Sequence, residues 1–258
     1  MQFSVANLKK HYEDLLYTLK ISTKTKVEIF VRHCHFSSIS QHKIRHRGFT
    51  KQLAFENFMH SVGKDAHATF ILDTFYPSSE EHFVKKQDTY PVIEIKEGTE
   101  GGSFIRTIDY VAQLDLHPET IIYFLEDDYV HRDGWIDILR EGFSIPNIDY
   151  VTLYDHKDKY LPSYAELESK IFHTASCHWR TTPSTTNTFA VKFKTLLQHL
   201  DVHKEFSLNR KITADHAKFC KLGELGATLI SSIPGWSTHM EPEFASPCTD
   251  WQKMLSTS

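Results

Sequence analysis

Cysteine is scarce in this chain and scattered. Its four cysteines, Cys34, Cys177, Cys220 and Cys248, include no C-x-x-C pair, which argues against a structural zinc site built on paired thiolates. The even count permits disulfides, but no spacing argues for them. Free thiols and a reducing, cytoplasmic compartment are the expectation. Long apolar runs are missing too. The stretch from Met1 to Lys10 lacks the apolar core of a signal peptide. No run approaches the roughly 20 residues that a membrane-spanning helix needs. The expected chain is soluble, at most peripheral on a membrane. Charge of one sign is also lacking: the formal net charge is −4 with histidine neutral, so no global basic field invites nucleic acid. There is no phosphate loop of the familiar kinds. Gly101-Gly102-Ser103 lacks both a following Lys-Ser/Thr and G-x-G-x-x-G spacing. Neither an internal repeat nor a low-complexity linker interrupts the 258 residues.

The most informative stretch that is present runs from Ile121 to Asp128, Ile-Ile-Tyr-Phe-Leu-Glu-Asp-Asp. Five apolar residues read as a buried strand, since a central parallel strand is covered on both faces and need not alternate. Three adjacent acids at its end repel one another, so positive charge is expected beside them. A divalent cation, Mg²⁺ or Mn²⁺, is the simplest candidate. A loop after a buried strand is also where open α/β sheets hold ligands.

Around this strand the pattern alternates. Apolar spacing over residues 5–20 predicts a helix, and Lys26 to Arg32 a strand. A helix follows over Phe49 to Val62, then a strand from Ala66 that ends at Asp73, then a short strand over Tyr90 to Ile95. Gly98, Gly101 and Gly102 read as a loop, with Ser103 capping the next helix. Beyond the acids come a helix from Gly134 to Phe143, a strand from Tyr150 to Tyr154, and a polar loop from Lys157 to Lys170. The second half adds a strand from Thr188 to Phe193, short helices over Thr195 to His203 and Thr213 to Leu222, and a last strand from Ala227 to Ile233. This alternation predicts an α/β fold with a central, mostly parallel sheet flanked by helices.

The order of these elements, with acids closing the strand before residue 128, resembles the GT-A fold glycosyltransferases, family-2-like in order and spacing. Glu126-Asp127-Asp128 stands where that family has its D-x-D motif, with Glu where many members have Asp. The resemblance implies a Rossmann-like single domain over residues 1–258. Its nucleotide-sugar-binding half would span about 24–145 and its acceptor-binding half about 146–258. It implies a metal-dependent transfer of sugar from a nucleotide diphosphate, a UDP-sugar by family habit, to an acceptor hydroxyl with inversion. The acceptor would be a glycan, a lipid-linked group or a protein. Residue by residue, Asp128 inherits the metal-ligand role, with Glu126 and Asp127 facing ribose or metal waters. Arg32 and Asp73 fall at nucleotide-contacting strand ends. Asp215, at the start of a helix, inherits the general-base role, with His216 as its alternative, and His239 inherits a late metal-ligand role with Glu241 behind it. Arg106, one turn into its helix, would reach a phosphate or sugar. Trp179, Arg180 and Trp236 are candidates to stack on a sugar ring. His33 and His35 share a strand face, as a zinc pair would, but a third ligand is not evident.

Two other readings stay open. A nucleotidyltransferase uses a related sheet and acidic metal ligands, but such enzymes carry a Gly-rich, Arg/Lys-containing signature directly after the first strand. The stretch from Arg32 to Ser38 lacks it. The other reading is a non-catalytic carbohydrate- or partner-binding protein on a degenerate transferase fold.

Overall fold

The computed structural model describes residues 25–37, 44–64 and 66–256. The helix expected over residues 5–20 lies outside them. A nine-stranded sheet organises the rest. Its first strands are β1 (Val27–Cys34), β2 (Ala66–Asp73), β3 (Val92–Ile95) and β4 (Ile121–Glu126). The second half contributes β6 (Tyr150–Thr152), β7 (Ile171–His173), β8 (His178–Thr181), β9 (Phe189–Lys192) and β10 (Leu229–Ile233). The spatial order is β3-β2-β1-β4-β9-β6-β10-β8-β7. β1 pairs in parallel with β2 and β4, β2 with β3, and β6 with β10. β8 and β9 run against the other seven. The sheet is therefore mostly parallel in direction and Rossmann-like, as the alternation of elements predicts.

Burial on both faces explains the unbroken apolar runs. Along β4, Ile121, Tyr123 and Leu125 face one core and Ile122 and Phe124 the other. All five are almost wholly buried. Each such side chain contributes about 1.5–3 kcal/mol relative to exposure. Helices α1 (Lys51–Ser61) and α3 (Trp135–Ser144) close the first face through Phe58, Trp135 and Leu139. Helices α2 (Glu100–Ala112), α4 (Phe193–Gln198) and α6 (Asp215–Glu224) close the second through Phe104, Ile108, Leu196 and Phe219. A short α5 (Leu200–Glu205) lies between the last two, and α7 (Trp251–Ser256) ends the described chain. Among the described residues no helix is long and apolar enough to cross a membrane.

Some boundaries differ from the sequence reading. Gly101 and Gly102 are not a loop but the first turn of α2, which Thr99 rather than Ser103 caps by accepting from the Gly102 amide at 3.1 Å. A Cβ on Gly101 would lie 2.5 Å from the Arg210 carbonyl oxygen and 2.8 Å from that of Ser207. Glycine thus lets α2 approach the segment before α6. A two-stranded sheet pairs β5 (Tyr129–His131) with β11 (Ser237–His239). Strands of three residues are too short to show a period, and neither these nor the β7–β8 hairpin is visible as sequence pattern.

Buried histidine links this core to pH. His131 is 1% exposed, shares a 2.9 Å hydrogen bond with the Tyr123 hydroxyl, and is pushed down to about 3 by burial. Folding keeps it neutral, whereas the unfolded chain takes up a proton below its ordinary value of 6.5. Its contribution to stability is therefore full above that value and is lost as pH falls toward 3, by about 2 kcal/mol at pH 5. His131→Gln removes this dependence. Between pH 7 and 5 the melting temperature of that variant is expected to fall less than that of the wild type. Parallel acid slopes in the two proteins would refute the assignment.

Candidate functional site

The strand ends build the site. The parallel register sets Arg32 opposite Glu126 and Cys34 opposite Asp73. Pairing of β5 with β11 sets His239 opposite Tyr129, one residue beyond Asp128. Helix α2 brings Glu100, and α6 brings Asp215. These side chains line a cavity of about 400 Å³ outside the carboxyl ends of the parallel strands, the ligand edge of open α/β sheets.

Each acid of the strand end has its own cation. Arg32 Nη2 lies 3.2 Å from Glu126 Oε1. Lys51 Nζ, on the first residue of α1, donates to Asp127 Oδ2 at 2.6 Å. Arg45 Nη2 donates to Asp128 Oδ2 at 2.8 Å. The positive charge that three adjacent carboxylates require is therefore supplied by three side chains of the chain itself. Burial still governs their protonation. It pushes Glu126 up to about 8, with Arg32 opposing and Glu100 and Asp128 adding to the rise. It also raises Asp127, against the pull of Lys51. The Cys34 thiol, 3.2 Å from Lys51 Nζ, is pushed up to about 11 by burial and Asp127, so it stays neutral.

A second layer runs from Arg32 toward α6. Arg32 Nη1 donates to Glu100 Oε1 at 2.9 Å, and Asn187 Nδ2 donates to the same oxygen at 2.7 Å. Glu100 Oε2 accepts from the Thr213 amide at 2.7 Å. Burial works against ionisation of Glu100, but Arg32, the Thr213 amide, Asn187 and Lys218 together hold it below the usual carboxylate value.

The expected site residues divide. Arg32, Asp73, Glu126, Asp127, Asp128, Asp215, His239 and Glu241 all line the cavity. Asp73 is turned to its own loop: its carboxylate accepts from the amides of Phe75, Glu97 and Gly98 at 3.0, 3.2 and 2.8 Å. Arg106 is corrected. It is exposed on α2 and lines a different hollow, with Asp109 and Arg210, because its place in the helix points it away from the strand ends. Trp179 and Arg180 are buried on β8, and Trp236 stacks on Arg132 at 4.3 Å, so none of them reaches the cavity. His33 is buried against Phe55, Phe70, Phe83 and His82.

The expected metal position can be tested on its donors. His239 Nε2 lies 3.0 Å from Asp128 Oδ2, and His239 Nδ1 lies 3.5 Å from Glu241 Oε1. Among the described residues no group of three or more His, Cys, Asp or Glu side chains is arranged to hold a metal ion. Asp128 Oδ2 instead meets both His239 Nε2 and Arg45 Nη2, so these donors are engaged with side chains of the chain itself. Sequence reasoning missed Arg45, Lys51, Glu100, Asn187 and Lys218. A signal existed for the first two in the basic run Lys43-Ile-Arg-His-Arg47 and in Lys51 after it. Glu100 and Asn187 carry no sequence signal, since only folding brings them to Arg32.

Comparison with known proteins adds one finding on the fold. No family model matches the chain, and no curated protein matches it. Among solved structures it is similar to CMP:2-keto-3-deoxy-manno-octonic acid synthetase complexed with CTP. Identity is 14%, coverage is 90% of this chain and 98% of that one, and the TM-score is 0.49. That likeness is one of fold. The similar protein is a nucleotidyltransferase, where the sequence resemblance implied a glycosyltransferase. The glycosyltransferase expectation, with its UDP-sugar donor and inverting transfer, finds no support in these comparisons and is withdrawn.

The Arg32 pairs give a stability prediction. Arg32→Met leaves Glu100 and Glu126 beside each other without their shared cation. Stripping a buried pair of one partner costs about 3 kcal/mol, and urea unfolding of the variant is expected to show a loss of that order. A loss below about 0.5 kcal/mol, the size of an ordinary surface substitution, would show that the pairs are not structural.

Proposed function

We propose that the cavity binds a nucleoside triphosphate and that the protein is a nucleotidyltransferase. The observation that carries this reading is the set of three cations, Arg32, Arg45 and Lys51, each held by one strand-end acid at the cavity. A triphosphate brings more negative charge than a diphosphate and asks for more countercharge than one cation supplies. Lys51, which lines the cavity, is placed to give it once a bound cation takes over Asp127; Arg45 pairs with Asp128 and also lies 3.9 Å from Glu241. Arg32 remains between Glu100 and Glu126.

In the reaction an acceptor oxygen attacks the α-phosphorus. The bond from that phosphorus to the bridging oxygen breaks, and pyrophosphate leaves with the electron pair. The acceptor proton passes to a base. Asp215 fills that role: burial pushes it up to about 6, with Lys218 drawing it down and Glu100 pushing it up. That value suits a group that must accept a proton near neutral pH. A divalent cation, when held by Asp128 and His239, supplies charge neutralisation for the phosphates. Tyr154, His156 and Phe244 line the cavity as well and offer ring surfaces to the acceptor. The four cysteines are unpaired, which suits a reducing, cytoplasmic setting.

The test is a panel of nucleoside triphosphates and diphosphates, with Mg²⁺ and with chelator, read by calorimetry and by pyrophosphate release. At least one triphosphate is expected to bind about tenfold more tightly than its diphosphate, a difference of about 1.4 kcal/mol. Lys51→Ala is expected to weaken that binding by a similar factor. Equal affinity for the two classes, with no pyrophosphate released from any triphosphate, would overturn the reading.

A further inference from the structure

The most unusual buried group in the molecule is the ammonium of Lys218. It has no solvent exposure, although it stands one turn into α6. Three aromatic rings surround it, Phe104 at 4.5 Å, Phe219 at 5.2 Å and Phe189 at 5.4 Å from Nζ. Such a cage favours a cation through the negative ring faces, but it provides no hydrogen-bond acceptor of ordinary strength. Two oxygens do. Nζ donates to Asn187 Oδ1 and to Asp215 Oδ1, the latter at 3.2 Å. Burying an ammonium is costly unless it is paired. A lysine placed here for packing alone would be better replaced by an apolar side chain.

The rest of the network shows what the charge acts on. Asn187 is itself fixed by its amide, which donates to Glu100, and Glu100 is fixed by Arg32 and the Thr213 amide. The chain of contacts therefore runs from Glu126 through Arg32, Glu100 and Asn187 to Lys218, and ends on Asp215. Every member except Asn187 and Lys218 lines the cavity. Lys218 is thus a cation held from behind, presenting one bond to a carboxylate whose other face meets the cavity.

We propose that Lys218 is a positioning residue: it fixes the Asp215 carboxylate at the cavity wall and sets the pH at which that carboxylate can accept a proton. This deepens the nucleotidyltransferase reading and rests on it for the identity of the reaction, but not for the coupling of the two side chains. The charged groups that face Asp215 are Lys218 on its own helix, Glu100 on α2, Arg32 on β1 and Glu126 on β4. Of these Lys218 alone touches it within hydrogen-bond distance among the described residues. Glu100 and Glu126 oppose ionisation of Asp215 and Arg32 favours it, so the nearby cation has an opposed field to overcome.

The experiment compares Lys218→Gln with the wild type by two independent measurements. The first is the titration of Asp215 followed by carboxyl carbon NMR, its signal assigned by loss in Asp215→Asn. Removing an opposite charge at this distance is expected to raise the midpoint by about one pH unit or more. The second is the pH profile of pyrophosphate release, whose acid limb is expected to move up by the same amount. At neutral pH kcat should fall while KM for the nucleotide changes less than about twofold. Lys218→Met, which keeps the stem among the rings, serves as the second variant where the glutamine does not fold. An unmoved Asp215 midpoint overturns the proposal whatever the activity does. A moved midpoint in a protein that releases no pyrophosphate upholds the coupling and overturns the proposed reaction instead.

Discussion

The contact on which the site depends is the guanidinium of Arg32 between Glu126 and Glu100. It follows from the parallel register of β1 and β4, which sets residues 32 and 126 side by side at the strand ends. Without a shared cation there, two carboxylates would face each other in a half-buried cleft, and one would have to protonate. Arg suits the place better than Lys because its planar fork reaches two acids at once. From this point the other parts follow. Glu100 is free to order the Thr213 amide and Asn187, and these in turn place α6 and its acid against the cavity.

Much of the sheet was legible because its physics is local. Runs such as Ile121 to Leu125 announce strands that are covered on both sides, and the acids that close that strand announce a ligand edge. The cations of the site were not legible as a group. Arg32, Arg45 and Lys51 are spread over twenty residues, and no sequence period links Arg45, outside any helix or strand, to a strand end. His239 was found through resemblance alone, and its approach to Asp128 depends on a three-residue strand with no pattern of its own. Lys218 was not singled out at all. On sequence it is one charged residue in a short helix, and only the packing of Phe104 and Phe189 against α6 encloses it.

The charge balance of the site changes what its acids mean. Three adjacent carboxylates read as a demand for a metal, but the folded chain answers that demand with three side chains. A ligand that approaches these three acids therefore finds each already paired with a cation. It has to trade partners with existing pairs, so its affinity is the difference between new contacts and those given up. Such a site discriminates against ligands that supply only half of the exchange, because a displaced partner is then left buried and unpaired.

The two-stranded sheet of β5 and β11 has a consequence for how the protein comes to be made. Asp128 meets His239 only through pairing of Tyr129 with that residue, more than a hundred positions later. During synthesis the strands β1 to β4 have all been made once residue 126 has emerged, and they pair with one another. The acidic edge they create lacks His239 until β11 has been made. The cleft is therefore completed after the strands that carry its acids, and a nascent chain stalled before β11 has Asp128 without His239.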